Sequence, residues 1–128
     1  MTEVPTVTTL EPRDAIERYY RAMEAGSPDD MRAIFAEDAT YIEPFSKGGE
    51  PTPHQGRDAI VAWLGASFEG PNRGVTITLD RLDVDGDAMV AEWTCVGPML
   101  PGPMKGHDRY RVEGGQIVRL ETRFGPAA

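Results

Sequence analysis

The fold is decided by VTITLDRLDVDGDAMVAEWTC, residues 75–95, and by HDRYRVEGGQIVRLETRF, residues 107–124. Side chains suited to a buried face recur at every second position: Val75, Ile77 and Leu79; Met89, Ala91, Trp93 and Cys95; Asp108, Tyr110 and Val112; Val118, Leu120, Thr122 and Phe124. A period of two marks strands with one face turned inward. Asp85-Gly86 and Gly114-Gly115 lie between successive runs and read as hairpin turns. Residues 97–106, with Pro98, Pro101 and Pro103, read as a longer connection. The second half of the chain is therefore expected to be an antiparallel meander.

Upstream the period changes. Over residues 13–25, Ile16, Tyr19, Tyr20 and Met23 recur at helical spacing between charged residues, and Gly26 stands where a helix would be capped. Ser27-Pro28-Asp29-Asp30 supplies an N-cap serine, a proline at the first helical position and an acid three residues after the cap. It opens a short helix through Phe35, with Met31, Ile34 and Phe35 inward. Residues 39–43 read as a strand ending at Pro44, residues 45–55 as a Gly/Pro-rich loop and candidate pocket rim, and residues 57–68 as a third helix carrying Ala59, Ile60, Trp63 and Leu64. Three helices followed by a meander make an α+β domain whose sheet curls over the helices to cover its apolar face.

The 128 residues suit one domain, expected over 12–128 after a loose leader at 1–11 that has neither the basic start nor the apolar segment of a signal peptide. Lys and Arg number 13 against 21 Asp and Glu, a net charge of −8, which repels phosphate backbones and anionic lipid alike. Neither nucleic acid nor a membrane is an expected partner, and no run of about 18 apolar residues could span a bilayer. Cys95 is the only cysteine, so an internal disulfide and a thiolate zinc cage are excluded, and a reducing, cytoplasmic setting is expected. Glycine-rich phosphate loops, a Gly-x-Ser-x-Gly elbow and His-Glu-x-x-His are all absent, and His54 and His107 are the only histidines. No metal and no cofactor is expected.

What remains is a set of acids where apolar residues belong. In the strand through residues 106–112, alternation turns His107, Arg109 and Arg111 one way and Asp108, Tyr110 and Val112 the other, toward the core. A carboxyl there is desolvated and tends to keep its proton, although an Asp at a strand end is as readily solvated or paired with an Arg. Glu43 shares a strand face with Tyr41 at the last position before Pro44 and the loop. It is either a base reaching into a cavity or an exposed strand-terminal acid. Tyr19, taken alone, reads as core.

The runs Ile16 to Gly26, Ile34 to Pro44, and Gly106 to Val112 continuing through Phe124-Gly125 resemble the NTF2-like superfamily, in its SnoaL-like branch, with ketosteroid Δ5-isomerase as the nearest functional relative by motif. The resemblance spans about residues 12–125. It implies an NTF2-like cone, with three N-terminal helices packed in a curved, mostly antiparallel sheet, enclosing a cavity for a small hydrophobic substrate, steroid-like or polyketide-like. The isomerase's catalytic positions fall on Tyr19, Glu43 and Asp108. Glu43 would shuttle a proton between carbons while Tyr19 and a neutral Asp108 hydrogen-bond the enolate oxygen, the latter as the isomerase holds one aspartic acid neutral in an apolar site. Tyr41, Trp63, Leu120, Thr122 and Phe124 are the expected substrate contacts. A homodimer through the outer sheet face is also implied.

This sequence departs from the isomerase in carrying Glu rather than Asp at residue 43, a longer loop before Gly56, and Leu64 where a tyrosine would support Tyr19. Tyr41 and Tyr20 are the candidates to replace that support. Thr122 stands where limonene-epoxide hydrolases have an Asp, which argues against epoxide hydrolysis. Dehydratase chemistry wants cavity histidines, and neither His54 nor His107 is expected there. A polyketide cyclase or other small-molecule lyase, and a ligand-binding member without catalysis, stay open beside the isomerase.

Overall fold

The computed structural model describes residues 12–127, so the expected leader at 1–11 lies outside the described residues. Helices α1 (Pro12–Ala25) and α2 (Pro28–Ile34) lead into strands β1 (Phe35–Glu43) and β2 (Thr52–Gln55). Helix α3 (Arg57–Phe68) follows, and then β3 (Thr76–Asp85), β4 (Ala88–Val96), β5 (Met104–Glu113) and β6 (Gln116–Phe124). The six strands form one sheet in the order β2-β1-β6-β5-β4-β3. β1 and β6 run parallel and all other neighbours antiparallel, giving the expected α+β arrangement of three helices and a mostly antiparallel sheet.

Helix α1 turns Ala15, Ile16, Tyr19, Tyr20, Ala22 and Met23 inward, the face its spacing predicts. The Ser27 side chain accepts the backbone N–H of Asp30 at 3.1 Å, satisfying one of the donors at the start of α2. The core lies between the helices and the concave face of the sheet. It is built from Ile16, Met31, Ile34, Phe35, Ile60 and Leu64 against Ala91, Tyr110, Ile117 and Leu120.

Three local expectations need correction. Phe35 is not the end of α2 but the first residue of β1, which starts four residues before the expected Ala39 and carries an irregularity between Phe35 and Thr40. The segment expected to be loop contains β2, which pairs with β1 in the register Tyr41 opposite His54 and Ile42 opposite Pro53. Pro53 disguises it, but β2 lies at the sheet edge, where a missing N–H is tolerated. In β6 the pairing shifts between Arg111 and Val112, leaving Val118 as an extra residue. Ile117 therefore joins Leu120 and Thr122 on the buried side, and Val118 is only half-buried. The Gly114-Gly115 turn is a hairpin as expected, both residues having positive φ, 60° and 80°.

Candidate functional site

Asp108 is the chemical centre of the molecule. Strand β5 points it into the core between Gly106 and Tyr110, and it is only 2% exposed. Three hydroxyls from three elements converge on its carboxyl group: Tyr20 of α1 donates to Oδ2 at 2.9 Å, Tyr110 of β5 donates to Oδ2 at 2.7 Å, and Thr122 of β6 donates to Oδ1 at 2.6 Å. Burial pushes the carboxyl above its ordinary range, outweighing the hydroxyl hydrogen bonds that pull it down. Burial likewise holds the phenols of Tyr19, Tyr20, Tyr41 and Tyr110 above their usual value, so all four stay neutral donors.

Tyr19, Tyr20, Tyr41, Asp108 and Thr122 line a cavity of about 40 Å³ whose other walls include Met23, Ile77, Trp93, Cys95 and Met104. A second space of about 520 Å³, lined by Trp63, Pro71 and Leu100 among others, shares Phe45, Asn72 and Met104 with the first. The small chamber, apolar except at its Asp108 end, thus adjoins the larger apolar vestibule at Phe45, Asn72 and Met104. In the vestibule wall, Trp63 stacks against Phe45 with ring centroids 6.2 Å apart.

Of the expected residues, Tyr19, Tyr41, Asp108 and Thr122 meet in the chamber and Trp63 lines the vestibule. Tyr41's phenol faces the hydroxyls of Tyr19 and Thr122, so Tyr41 rather than Tyr20 supports the Tyr19 hydroxyl, while Tyr20, whose ring lies 5.6 Å from that of Tyr19, gives its hydroxyl to Asp108. Two substrate contacts are placed differently. Leu120 is fully buried in the core and belongs to neither cavity lining. Phe124 is 48% exposed and meets Phe45 edge-on at 5.3 Å, a rim position outside both linings.

Glu43 is 0% exposed, which removes the reading of an exposed strand-terminal acid, but its carboxylate is turned into the loop that follows it. Oε1 accepts the backbone N–H groups of Phe45 at 2.6 Å and Ser46 at 2.9 Å. Oε2 takes the Ser46 hydroxyl and lies 2.8 Å from His54 Nε2. Burial by itself would raise its pKa, but these hydrogen bonds outweigh it and hold the carboxyl below its ordinary range. Ser46 also accepts the Trp63 indole N–H at 3.1 Å, which ties Glu43 to the vestibule wall.

His54, Ser46, Tyr110 and Trp93 are the candidate-site residues that sequence reasoning missed, and Tyr20, expected only as a support for Tyr19, donates to Asp108 instead. Tyr110 had a signal, two residues from Asp108 on the same strand face. His54 had none, because its position opposite Tyr41 depends on β2. Among the described residues no cluster of His, Cys, Asp and Glu is gathered as a metal ion would require, and no helix is long and apolar enough to cross a membrane.

An α+β cone with a polar chamber at the end of an apolar vestibule is the architecture of NTF2-like proteins, and the comparisons agree. Residues 16–120 match the SnoaL-like domain model, so the chain belongs to the SnoaL-like domain family. No curated protein sequence matches it. Among solved structures it is similar to a protein from Sinorhizobium meliloti assigned as a polyketide cyclase, with 24% identity, a TM-score of 0.70, and coverage of 86% of this chain and 94% of that one. A protein from Bacillus subtilis assigned as an isomerase gives 18% identity and a TM-score of 0.75 over 89% of this chain and 86% of that one. A ketosteroid isomerase-like fold from Catenulispora acidiphila, solved with trimethylamine, gives 19% and 0.74 over 91% and 88%. At these identities the likeness shows the fold.

Proposed function

We propose that the protein is an enzyme of enolate chemistry, an isomerase that moves a β,γ-unsaturated ketone into conjugation. The observation that carries this reading is a neutral-leaning Asp108 beside the Tyr19 and Tyr41 phenols at the polar end of an otherwise apolar chamber. With Asp108 protonated, the state its burial favours, a ketone oxygen entering that end meets the acid's O–H beside the Tyr19 and Tyr41 phenols, and donors aimed where charge develops stabilise an enolate far more than the ketone from which it forms. Glu43 is the base: a carboxylate of low pKa suffices when the carbonyl is already polarised. To take a proton it must release one of its hydrogen bonds, and the Ser46 hydroxyl, which lines the vestibule, is the one placed to move.

A second reading is favoured by one observation. Glu43 is occupied at both oxygens and absent from the chamber lining, which leaves Asp108 the only carboxyl there. A SnoaL-like polyketide cyclase closing a ring by aldol addition would use that single acid.

The test is conjugated-enone absorbance with a monocyclic β,γ-unsaturated ketone and a Δ5-3-ketosteroid in parallel. Turnover that falls about 100-fold or more in both Asp108→Ala and Glu43→Gln supports the isomerase, since losing an oxyanion donor and losing the general base each cost on that scale. Activity that survives Glu43→Gln and dies with Asp108→Ala keeps the isomerase and removes Glu43 as its base. No turnover from folded protein with either ketone rejects the isomerase.

A further inference from the structure

The surroundings of Asp108 do not balance. An ionised carboxylate has about four acceptor positions, two on each oxygen. Oδ2 accepts from Tyr20 and Tyr110, whereas Oδ1 accepts from Thr122 alone, so one position on Oδ1 is left over. In the wall of the same chamber, close enough to help draw the carboxyl's ionisation down, stands the indole N–H of Trp93, only 7% exposed and without a well-formed hydrogen bond to any acceptor. Among the described residues only Trp93 Nε1 and Arg57 Nε are buried side-chain polar atoms without a partner. A buried donor left unpaired is destabilising, and proteins seldom keep one without cause.

The indole is held where it is by its neighbour. Trp93 on β4 faces Gly106 on β5, two residues along, and so on the same face, from the pairing of Ala91 with Asp108. A Cβ at Gly106 would run into the indole ring and lie 2.6 Å from the Arg123 carbonyl oxygen. The absent side chain lets the indole lie flat against the strand that carries Asp108. Spare donor and spare acceptor thus share the wall of one small chamber.

We propose that Trp93 is a positioning residue for Asp108: with the acid's proton on Oδ1 the indole N–H stands unpaired, and when that proton leaves for a ligand oxygen the indole closes on Oδ1 and completes the carboxylate. This rests on the reading of Asp108 as the group that meets the ligand oxygen, and adds that Asp108 transfers its proton outright. In that step the Asp108 O–H bond breaks and its electron pair stays on Oδ1. The proton forms an O–H bond to the enolate oxygen created when Glu43 removes the carbon-bound proton, giving an enol. Return of the proton to Oδ1, as Glu43 delivers its own to the distal carbon, restores a neutral ketone.

The other groups around Asp108 are Tyr19 and Tyr20 from α1, Tyr41 from β1 with Glu43 beyond it, Cys95 from β4, Tyr110 from β5 and Thr122 from β6. Burial holds the phenols and the Cys95 thiol above their ordinary values, so they stay neutral where a carboxyl titrates. Glu43 is held below its ordinary range and ionises first.

The experiment is an NMR titration of the whole protein from about pH 4 to 10, following the indole N–H resonances with the Asp108 carboxyl carbon, and using Trp63→Phe to assign the two indoles. We expect the Trp93 N–H to move downfield with the same midpoint as Asp108 and to be flat in Asp108→Asn. Trp93→Phe removes the donor and keeps a ring. It should raise the Asp108 midpoint by about one to two pH units, the worth of one hydrogen bond to a charged group, whereas a purely structural role would lower stability and leave the midpoint in place. Should that variant not fold, the wild-type titration decides alone. A Trp93 resonance indifferent to the ionisation of Asp108, or an Asp108 that keeps one protonation state throughout, overturns the proposal. None of these readouts needs turnover, so loss of enone formation bears on the proposed function separately.

Discussion

Two carboxyls in this molecule are almost equally buried, and their ionisation is displaced in opposite directions. Glu43 is met by two backbone N–H groups, a serine hydroxyl and His54, so hydrogen bonding overcomes desolvation; Asp108 is met by hydroxyls alone, and desolvation wins. Opposite pH dependences of stability follow. Between the unfolded carboxyl's value and the raised folded value of Asp108, the native protein holds a proton that the unfolded chain has lost, so stability falls as pH rises through that window. For Glu43 the unfolded chain binds the proton first, so its contribution is present above the unfolded value and is lost as pH falls through the lowered folded value. Thermal melts across pH should therefore show a gentler decline on the neutral side in Asp108→Asn and a flatter acid limb in Glu43→Gln. A neutral-side slope unchanged by Asp108→Asn would contradict the account of that residue. Asp108 was legible because strand alternation alone turns it inward. The opposite displacement at Glu43 was not, because its donors come from a turn and an edge strand whose geometry no periodicity encodes.

At the scale of elements, the site depends on strands that break their own pattern. The shift at Val118 brings Ile117 to the buried side with Leu120 and Thr122, which stand in register with Tyr110 and Asp108, and β2, despite Pro53, brings His54 to Glu43. The helices were legible because capping and spacing agree, as at Ser27-Pro28, and the meander because alternation persists over four runs. Bulges and edge strands were missed because one extra residue or one proline destroys the local signal while the neighbouring strand still supplies the pairing. The pairing of β4 with β5 can be tested at its tightest point. Gly106→Ala should cost about 1–3 kcal/mol in denaturant unfolding, the usual range for overpacking, because both the Trp93 ring and the Arg123 carbonyl would have to yield. Gly102→Ala is the control, since nothing lies within 4 Å of a Cβ there and its φ is not positive; its expected change is within about 0.5 kcal/mol. Equal effects at the two glycines would remove the argument that Gly106 exists to seat the indole.

At the scale of the whole molecule the cavity is divided in two, and under the proposed function that division sets what the protein accepts. A chamber of about 40 Å³ is far below the roughly 300–1,000 Å³ of sites that enclose a drug-sized ligand, so under the proposed function the chamber takes the small carbonyl-bearing end of the ligand while the vestibule of about 520 Å³ takes its body. Phe45 belongs to both and rests between Trp63 and Phe124, which makes it the neck. Neither lining contains Lys or Arg, and the chain carries −8 overall, so an anionic ligand finds no counter-charge and meets a repelling field. Binding measured by calorimetry should therefore favour a neutral ketone over its carboxylated analogue of the same shape by about tenfold or more, a difference of about 1.4 kcal/mol. Phe45→Ala joins the two spaces. It should strengthen binding of a rigid polycyclic ketone several-fold relative to a monocyclic one, and leave the penalty for the carboxylate unchanged, because size is set at the neck and charge by the whole lining. If the polycyclic ketone gains nothing from the truncation, Phe45 is not the limiting contact and the division of the cavity does not govern what the protein accepts.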